Sequence, residues 1–337
     1  MPEPLLEVKD LRVHFPTEGG LVKAVDGVSF QVAPGETLGV VGESGSGKSV
    51  TFMTVMGLIT NKIAKIEGQA LFQGQDLLKL PPDEMRHVRG DKISMVFQDA
   101  LTALNPVVRV GAQIVEMIRA HRKMGKKEAW DFATDLLARV GIPRPQERVK
   151  QFPHEFSGGM RQRAMIAMAL ALDPDLLIAD EPTTALDVTV QAQILDLLDK
   201  LKEEFNAAVI MITHDLGVVA EHCDDIMVMY AGRVVEYGEA EDIYYAAHHP
   251  YTWGLLQSIA RIDQEKGERL RPIKGLPPSL IYVPPGCAFH PRCPYVMDIC
   301  KTEVPPLLPA DGHHASACHL TLAEKERIFH EEVAAPA

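Results

Sequence analysis

The sequence lacks any apolar run as long as the roughly 20 residues that a membrane-spanning helix needs. Its first ten residues also lack the apolar core of a secretion signal, because charged side chains interrupt every short apolar run. We therefore expect a protein that is cytosolic or peripheral to a membrane. Cysteine is scarce, with five among 337 residues. Without a secretion signal, this number argues against a disulfide-stabilised fold.

The chain also lacks an excess of positive charge. It has 34 Lys and Arg residues against 46 Asp and Glu residues, which gives a formal net charge of −12. Nucleic acid is disfavoured as the main partner, because phosphate contacts need a basic surface. The 46% content of hydrophobic residues is enough for one large core and a smaller second unit.

A glycine-rich stretch at residues 42–49 (GESGSGKS) matches the P-loop pattern, and its flanks have the context that this pattern needs. An apolar run at 37–41 predicts a buried strand before it, and residues 50–59 predict a helix after it. Strand, loop and helix together direct backbone N–H groups and the positive end of a helix dipole at an anion such as a triphosphate. A chance glycine-rich turn is the alternative, and the correct flanks disfavour it. The predicted phosphate ligands are Gly42, Ser44, Gly45, Gly47, Lys48 and Ser49.

Three further apolar strands are predicted to end in polar side chains. They cover residues 92–98, 176–181 and 208–214, and they end at Gln98, at Asp180 with Glu181, and at His214. Parallel strands place such residues at one edge of a sheet, where α/β folds bind ligands. Asp180 is a candidate magnesium ligand, and Glu181 is a candidate general base that activates water. The alternatives are two carboxylates that cap the next helix and a structural histidine.

Two weaker signals complete the set of candidates. Ser157, Gly158 and Gly159 precede a predicted helix that runs to residue 172, where they form either a second anion-binding helix start or an ordinary helix cap. Phe15 ends a predicted strand at residues 5–15, where an aromatic ring packs in the core or stacks on a nucleotide base. The remaining predicted elements are a strand at 25–32, a hairpin at 68–77, helices within 110–141, a helix capped by Asp187 and a hairpin at 225–237.

The order of these motifs resembles the nucleotide-binding subunit of ABC transporters over about residues 5–240. The P-loop, Gln98, Ser157 to Gly159, Asp180 with Glu181, residues 185–187 (ALD) and His214 follow one another as in that family. The resemblance implies an α/β fold: a RecA-like P-loop core with an antiparallel β subdomain and a helical subdomain at about 99–170. One departure is Met160, where many relatives have glutamine.

The resemblance also implies what each residue does. Two subunits enclose two ATP molecules, and Ser157, Gly158 and Gly159 of one subunit contact the ATP on the P-loop of the other. Magnesium is held through Ser49, Gln98 and Asp180. Glu181, His214 and Gln98 are the catalytic residues, and Phe15 lies against the nucleotide.

The C-terminal part narrows the resemblance to the dipeptide and oligopeptide permease family. Residues 249–252 (HPYT) and four late cysteines resemble the C-terminal extension of these ATPases, which we place at 241–337 after a nucleotide-binding domain at 1–240. The cysteines are separated by five, six and seventeen residues, which is looser than most zinc sites and compatible with an iron–sulfur cluster. Zinc and free thiols remain alternatives to the 4Fe-4S cluster that the resemblance implies. The four residues are Cys287, Cys293, Cys300 and Cys318.

The implied partners are a paralogous ABC ATPase subunit, two transmembrane permease subunits and an extracytoplasmic substrate-binding protein, with the ATPase at the cytoplasmic face of the membrane. Peptide as the substrate follows from the extension alone, and importers of nickel or oligosaccharide have similar ATPases. A non-transport ABC ATPase is a second possibility, although no heptad run typical of such chains is present. A degenerate regulatory subunit is disfavoured because every catalytic position is filled.

Overall fold

The computed structural model describes residues 3–184, 186–258, 272–311 and 313–334. Ala185 of the motif at 185–187 and residues 259–271 of the expected extension therefore lie outside the described residues. The described residues form twelve strands in two sheets and twelve α-helices.

The strands are short in the centre of the molecule and long near the N-terminus. They are β1 (Leu6–Thr17), β2 (Gly20–Val32), β3 (Thr37–Val41), β4 (Lys65–Phe72), β5 (Gln75–Asp76), β6 (Ile93–Val96), β7 (Leu176–Asp180), β8 (Ala208–Thr213), β9 (Asp225–Tyr230), β10 (Arg233–Glu239), β11 (Leu308–Asp311) and β12 (His314–Ser316).

The helices are concentrated between β6 and β9 and again after β10. They are α1 (Lys48–Val55), α2 (Pro82–Asp91), α3 (Ala100–Ala103), α4 (Val110–His121), α5 (Lys126–Arg139), α6 (Pro145–Arg148), α7 (Gly158–Leu170), α8 (Val188–Phe205), α9 (Leu216–His222), α10 (Ala240–Tyr245), α11 (Pro250–Gln257) and α12 (Leu322–Ile328).

The larger sheet has the strand order β11-β12-β10-β9-β3-β8-β7-β6. Strands β9, β3, β8, β7 and β6 are parallel to one another, while β10 pairs antiparallel with β9 and β12, and β11 pairs antiparallel with β12. Every residue of β3, β7 and β8 is buried. Burial on both faces explains why these strands are continuous apolar runs in the sequence.

The smaller sheet is antiparallel, with the order β2-β1-β4-β5. Its apolar face packs with α1 and one face of the larger sheet in a core that includes Leu6, Val25, Phe52 and Ile210. Helices α4, α5, α7 and α8 contribute to a second core, which includes Val209 and Met211 from the central strand β8. The central strands thus lie between two apolar layers, which leaves their ends as the place for polar chemistry.

Several predicted bounds differ from the structure. Helix α1 covers Lys48–Val55 rather than 50–59, because Gly57 follows with φ of +62°, a left-handed conformation that ends a helix. Strand β2 begins at Gly20 and pairs with β1 along its length, five residues earlier than predicted. Helix α2 was not predicted, since it has one buried side chain, Met85, and thus almost no apolar periodicity.

The C-terminal segment attaches directly to the larger sheet. In β12, Ser316 pairs with Glu236 of β10, and β11 pairs with β12 in turn. A third core joins Val41 of β3 to Tyr251 of α11 and to Phe289. The cysteine-containing segment therefore packs against the same strand that leads into the glycine-rich loop.

Candidate nucleotide site

The glycine-rich loop has the predicted arrangement of strand, loop and helix. Strand β3 ends at Val41 and α1 begins at Lys48, with Gly47 as its N-cap residue at φ of +102°. A Cβ at Gly47 would lie 2.3 Å from the carbonyl oxygen of Ala24, so both conformation and space require glycine there. The backbone N–H groups at the start of α1 are thereby left available for an anion.

Lys48 is folded onto its own loop. Its Nζ donates hydrogen bonds to the carbonyl oxygens of Gly42, at 2.6 Å, and Glu43, at 3.1 Å. The side chain is buried, and burial lowers the pKa of Lys48, while the charges of Glu181 and Asp180 act in the opposite direction. An ammonium group held only by neutral carbonyls is well placed to exchange them for phosphate oxygens, which bind it more strongly.

Two of the three predicted magnesium ligands, Ser49 and Asp180, are in contact. The Oγ of Ser49, in the first turn of α1, donates a 2.9 Å hydrogen bond to Oδ1 of Asp180 at the end of β7. Burial raises the pKa of Asp180, and the hydrogen bond from Ser49 opposes this rise. A hydroxyl and a buried carboxylate at hydrogen-bond distance form an oxygen pair of the kind that Mg²⁺ binds beside phosphates.

The three predicted catalytic residues also lie together. Oε2 of Glu181 accepts a 2.8 Å hydrogen bond from Nε2 of Gln98 and lies 3.6 Å from Nδ1 of His214. Glu181 has φ of +46°, which is uncommon for a residue other than glycine. Such strain is a feature of functional sites, where the surrounding structure maintains it. Gln98 thus contacts the carboxylate of Glu181, and its predicted role as a magnesium ligand stays a prediction.

Sequence reasoning missed one partner of this carboxylate. The Oγ1 of Thr184 donates a 2.8 Å hydrogen bond to Oε2 of Glu181. Thr184 follows Glu181 by only three residues in the sequence. The sequence motif did not indicate that the chain turns there and brings the two side chains together. Thr184 therefore helps to orient the carboxylate of Glu181.

The Ser-Gly-Gly segment lies at the start of α7, as predicted. The Oγ of Ser157 accepts a hydrogen bond from the N–H of Met160 at 3.3 Å, which is the geometry of an N-cap. Gly159 packs closely on α8, since a Cβ there would lie 2.9 Å from Cγ1 of Val190. The described chain shows this capping role, and the contact of Ser157, Gly158 and Gly159 with a partner's ATP stays a prediction. Phe15, on β1, is half-buried against the core and its stacking on a base is likewise untested.

The four late cysteines, which are all free thiols, line one cavity. Burial raises the pKa of the Cys293 thiol to about 12 and that of Cys318 to about 11. Among the described residues, no three of these sulfur atoms lie within 4.8 Å of one another, whereas the ligand atoms of a different group of side chains do. In a tetrahedral zinc site the sulfur atoms would be only about 3.8 Å apart, as Zn–S bonds of about 2.3 Å require.

That different group is Glu236, His248 and His314, all buried. The rings of His248 and His314 are stacked, with centroids 4.1 Å apart and planes at 6°. Imidazole nitrogen binds a metal in the plane of its ring, so two parallel stacked rings cannot direct their lone pairs at one ion. Glu236 instead accepts a 2.8 Å hydrogen bond from Nε2 of His314 and others from the N–H groups of His248 and His249. The group is a buried hydrogen-bonded cluster, which joins β10 to β12 and to the start of α11.

Among the described residues, no helix combines the length and the apolar character that crossing a membrane requires.

The P-loop lies beside the Ser49–Asp180 pair and the group of Gln98, Glu181 and His214, where the parallel strands end. This arrangement defines a nucleotide-binding protein of the P-loop class. Residues 25–184 match the family described as ABC transporter, and residues 235–300 match the family described as oligopeptide/dipeptide transporter, C-terminal region. The chain belongs to the ABC transporter family, as the resemblance of its motifs predicted.

Relatives support this over nearly the whole chain. The chain is 53% identical over 326 residues to "Oligopeptide transport ATP-binding protein OppD" of Salmonella typhimurium, covering 96% of each chain. It is 52% identical over 319 residues to "Dipeptide transport ATP-binding protein DppD" of Bacillus subtilis, covering 94% of this chain and 95% of the relative.

A solved structure supports the fold. The ATP-binding cassette MJ0796, as a dimer in a post-hydrolysis state bound to ADP and Pi, aligns with a TM-score of 0.63 at 27% identity. The alignment covers 70% of this chain and 98% of that chain. The predicted ABC ATPase fold is thereby confirmed, whereas the domain limits at 1–240 and 241–337, the helical subdomain at 99–170 and the cysteine site stay predictions.

Proposed function

We propose that the chain is the ATP-hydrolysing subunit of an ABC importer for dipeptides or oligopeptides. ATP hydrolysis is supported by two hydrogen bonds beside the P-loop, one from Ser49 to Asp180 and one from Gln98 to Glu181. The observations that support peptide as the cargo are the match at residues 235–300 and the names of the relatives.

In this proposal the phosphates of ATP lie on the loop at 42–49, with Lys48 on the terminal phosphates. Ser49, Asp180 and Gln98 hold Mg²⁺. Glu181, oriented by Gln98 and Thr184, removes a proton from the attacking water, and His214 positions that water at the γ-phosphate. Ser157, Gly158 and Gly159 complete the site of a second subunit, so ATP joins the two and hydrolysis lets them separate.

The proposed assembly has four further members. They are a paralogous ABC ATPase, two transmembrane permease subunits and an extracytoplasmic binding protein, with this chain at the cytoplasmic face of the membrane. ATP-driven closure of the two ATPases then changes which side of the permease is open. Substrate choice is assigned to the binding protein and the permease.

Reconstitution tests this proposal directly. The chain is co-expressed with its permease and ATPase partners, and the complex is placed in liposomes with the binding protein. ATP hydrolysis is expected to rise on addition of a peptide, and Lys48→Ala is expected to abolish it. If Ni²⁺ or an oligosaccharide stimulates hydrolysis and no peptide does, the transported substrate is not a peptide. Co-purification of the chain with ribosomes or DNA, and without a permease, would reject the transporter role.

We also propose that Cys287, Cys293, Cys300 and Cys318 hold a 4Fe-4S cluster. Four free thiols around one cavity are a donor set that suits iron–sulfur clusters. Burial raises the pKa of Cys287, Cys293 and Cys318, so a bound cation is needed to keep these three thiols deprotonated. The cluster would supply a rigid link among these four points of the chain.

Anaerobic purification tests the cluster. We expect brown protein with about four irons per chain, which Cys293→Ser and Cys300→Ser lose. Cys223→Ser is the matched control, because Cys223 lies on a different cavity, next to Asp224 and Tyr244. Colourless protein with stoichiometric zinc, or with neither metal, would contradict the cluster.

A further inference from the structure

An arginine of the cysteine-containing segment reaches the P-loop. Arg292 immediately precedes Cys293, and Glu43 is the second residue of the glycine-rich loop. The guanidinium forms two parallel hydrogen bonds to the carboxylate, Nη1 to Oε2 at 2.5 Å and Nη2 to Oε1 at 3.0 Å. Paired contacts of this geometry are stronger and more directional than a single ion-pair contact.

The guanidinium of Arg292 is fixed on its other sides as well. Its Nε donates to the carbonyl oxygen of Lys274 at 3.0 Å, and Nη2 donates to that of Gly275 at 3.3 Å. The rings of Tyr230 and Phe289 lie 5.8 Å and 5.9 Å from the guanidinium carbon. Only 5% of the Arg292 side chain is exposed, against 27% of the Glu43 side chain. The arginine is therefore a rigid anchor, and the glutamate is the group that it holds.

The backbone of Glu43 is held at the same time. Its N–H donates a 2.8 Å hydrogen bond to Oη of Tyr251, a fully buried side chain of α11. Its carbonyl oxygen accepts from Nζ of Lys48 at 3.1 Å. The first turn of the P-loop thus has its side chain, N–H and C=O bonded to three different groups, two of which belong to the segment after β10.

The charge of Glu43 gives this anchor a functional consequence. A carboxylate in a loop that receives a triphosphate repels the ligand unless a cation compensates it. Arg292 supplies that cation from a buried position, where screening by salt is weak. Without Arg292, Glu43 would be left as an uncompensated negative charge beside the phosphates.

We propose that Arg292 is a positioning residue for ATP binding, which neutralises Glu43 and holds the start of the P-loop in the conformation described here. The proposal rests on the assignment of residues 42–49 to ATP. It also makes the cysteine-containing segment part of the nucleotide site, because Arg292, the residue before Cys293, contacts Glu43 of the P-loop.

Nucleotide affinity in three variants tests the proposal. A fluorescent ATP analogue is titrated into the full chain without Mg²⁺, so that hydrolysis does not interfere. Arg292→Gln is expected to weaken binding about tenfold, the size of one uncompensated charge contact. Glu43→Gln is expected to bind as tightly as the wild type or more tightly. The double variant is expected to return to within about twofold of the wild type, because neither charge remains.

A merely structural ion pair would behave differently. Both single variants would then weaken binding equally, and the double variant would be no better than Arg292→Gln; that result overturns the proposal, as does an unchanged affinity in Arg292→Gln. If Arg292→Gln does not fold, Glu43→Gln decides alone, since a loss of affinity of fivefold or more there contradicts the charge argument.

Two controls separate this proposal from the one on which it rests. Lys48→Ala is expected to lose analogue binding altogether, and retained binding in that variant would refute the assignment of the P-loop to ATP. If Lys48→Ala loses binding while Arg292→Gln does not, only the role of Arg292 fails. Arg292→Lys keeps the charge but not the paired hydrogen bonds, so its affinity is expected to lie between those of the wild type and Arg292→Gln.

Discussion

The hydroxyl of Ser49 lies 2.9 Å from Oδ1 of Asp180, although 131 residues separate the two in the chain. The contact joins the first turn of α1 to the end of β7, across the intervening strand β8. It ties the helix that follows the phosphate loop to the acidic end of β7.

Removal of the carboxylate is expected to weaken magnesium binding and leave nucleotide binding nearly unchanged. In Asp180→Asn, the Mg²⁺ concentration that gives half-maximal ATP hydrolysis should rise about ten- to a hundredfold, the range typical when a ligand or its close partner is lost. The measurement is a Mg²⁺ titration of the ATPase rate at saturating ATP. Ser49→Thr keeps a hydroxyl and is the matched control, with an expected change below about threefold. An unchanged Mg²⁺ requirement in Asp180→Asn would show that Asp180 is not near the metal.

Replacement of the proposed base should separate binding from hydrolysis. Glu181→Gln keeps the shape and the hydrogen bond to Gln98 but cannot accept a proton, so ATP turnover should fall about 10²- to 10⁴-fold. ATP should then accumulate in a closed pair of subunits, visible by size-exclusion chromatography. Thr184→Val removes only an orienting hydrogen bond and should lose far less activity. Normal turnover in Glu181→Gln would reject Glu181 as the base.

The two roles of Ser157 can be distinguished by one substitution. Aspartate is as good an N-cap as serine, so Ser157→Asp should leave the stability of α7 nearly unchanged. Its negative charge should nevertheless repel the partner's ATP and prevent ATP-dependent association of the subunits. Ser157→Ala is the complementary control, expected to lower the free energy of unfolding by about 1 kcal/mol through loss of the cap. Should Ser157→Asp associate normally with ATP, the residue is a helix cap and nothing more.

Glu36 should make the stability of the protein depend on pH. Burial raises the pKa of Glu36 to about 7, and the nearby charge of Asp225 adds to this effect, while a hydrogen bond from the N–H of Ala33 opposes it. The folded state therefore keeps a proton that the unfolded state loses near pH 4.5. The contribution of Glu36 to the free energy of unfolding is therefore largest below pH 4.5, and it decreases as the pH rises to about 7.

In Glu36→Gln this loss should be absent. The free energy of unfolding of the variant, relative to the wild type, should increase by about 1–3 kcal/mol between pH 5 and pH 8. Denaturant unfolding at several pH values measures it, with the exposed Glu84→Gln as the matched control. A difference that stays constant with pH would mean that the folded protein ionises Glu36 as readily as the unfolded chain.

The local motifs could be predicted from the sequence, because their chemistry depends on residues that are adjacent in the chain. The loop at 42–49 needs its glycines wherever it occurs, as the position of Gly47 against Ala24 demonstrates. The N-cap roles of Ser157 and Asp187 likewise depend on residues only three positions away. Strands β3, β7 and β8 were predictable because burial on both faces requires continuous apolar runs.

What only the tertiary structure decided is which distant groups meet. The strand order β3-β8-β7-β6 brings Gln98 to Glu181 and Ser49 to Asp180, and neither pair has a local signature. The contact of Arg292 with Glu43 spans 249 residues, and it exists because the segment after β10 folds back onto the strand that leads into the P-loop. Short-range backbone preferences act within a few residues, so the sequence by itself determined the loop and the elements, whereas packing of the buried faces determined the site.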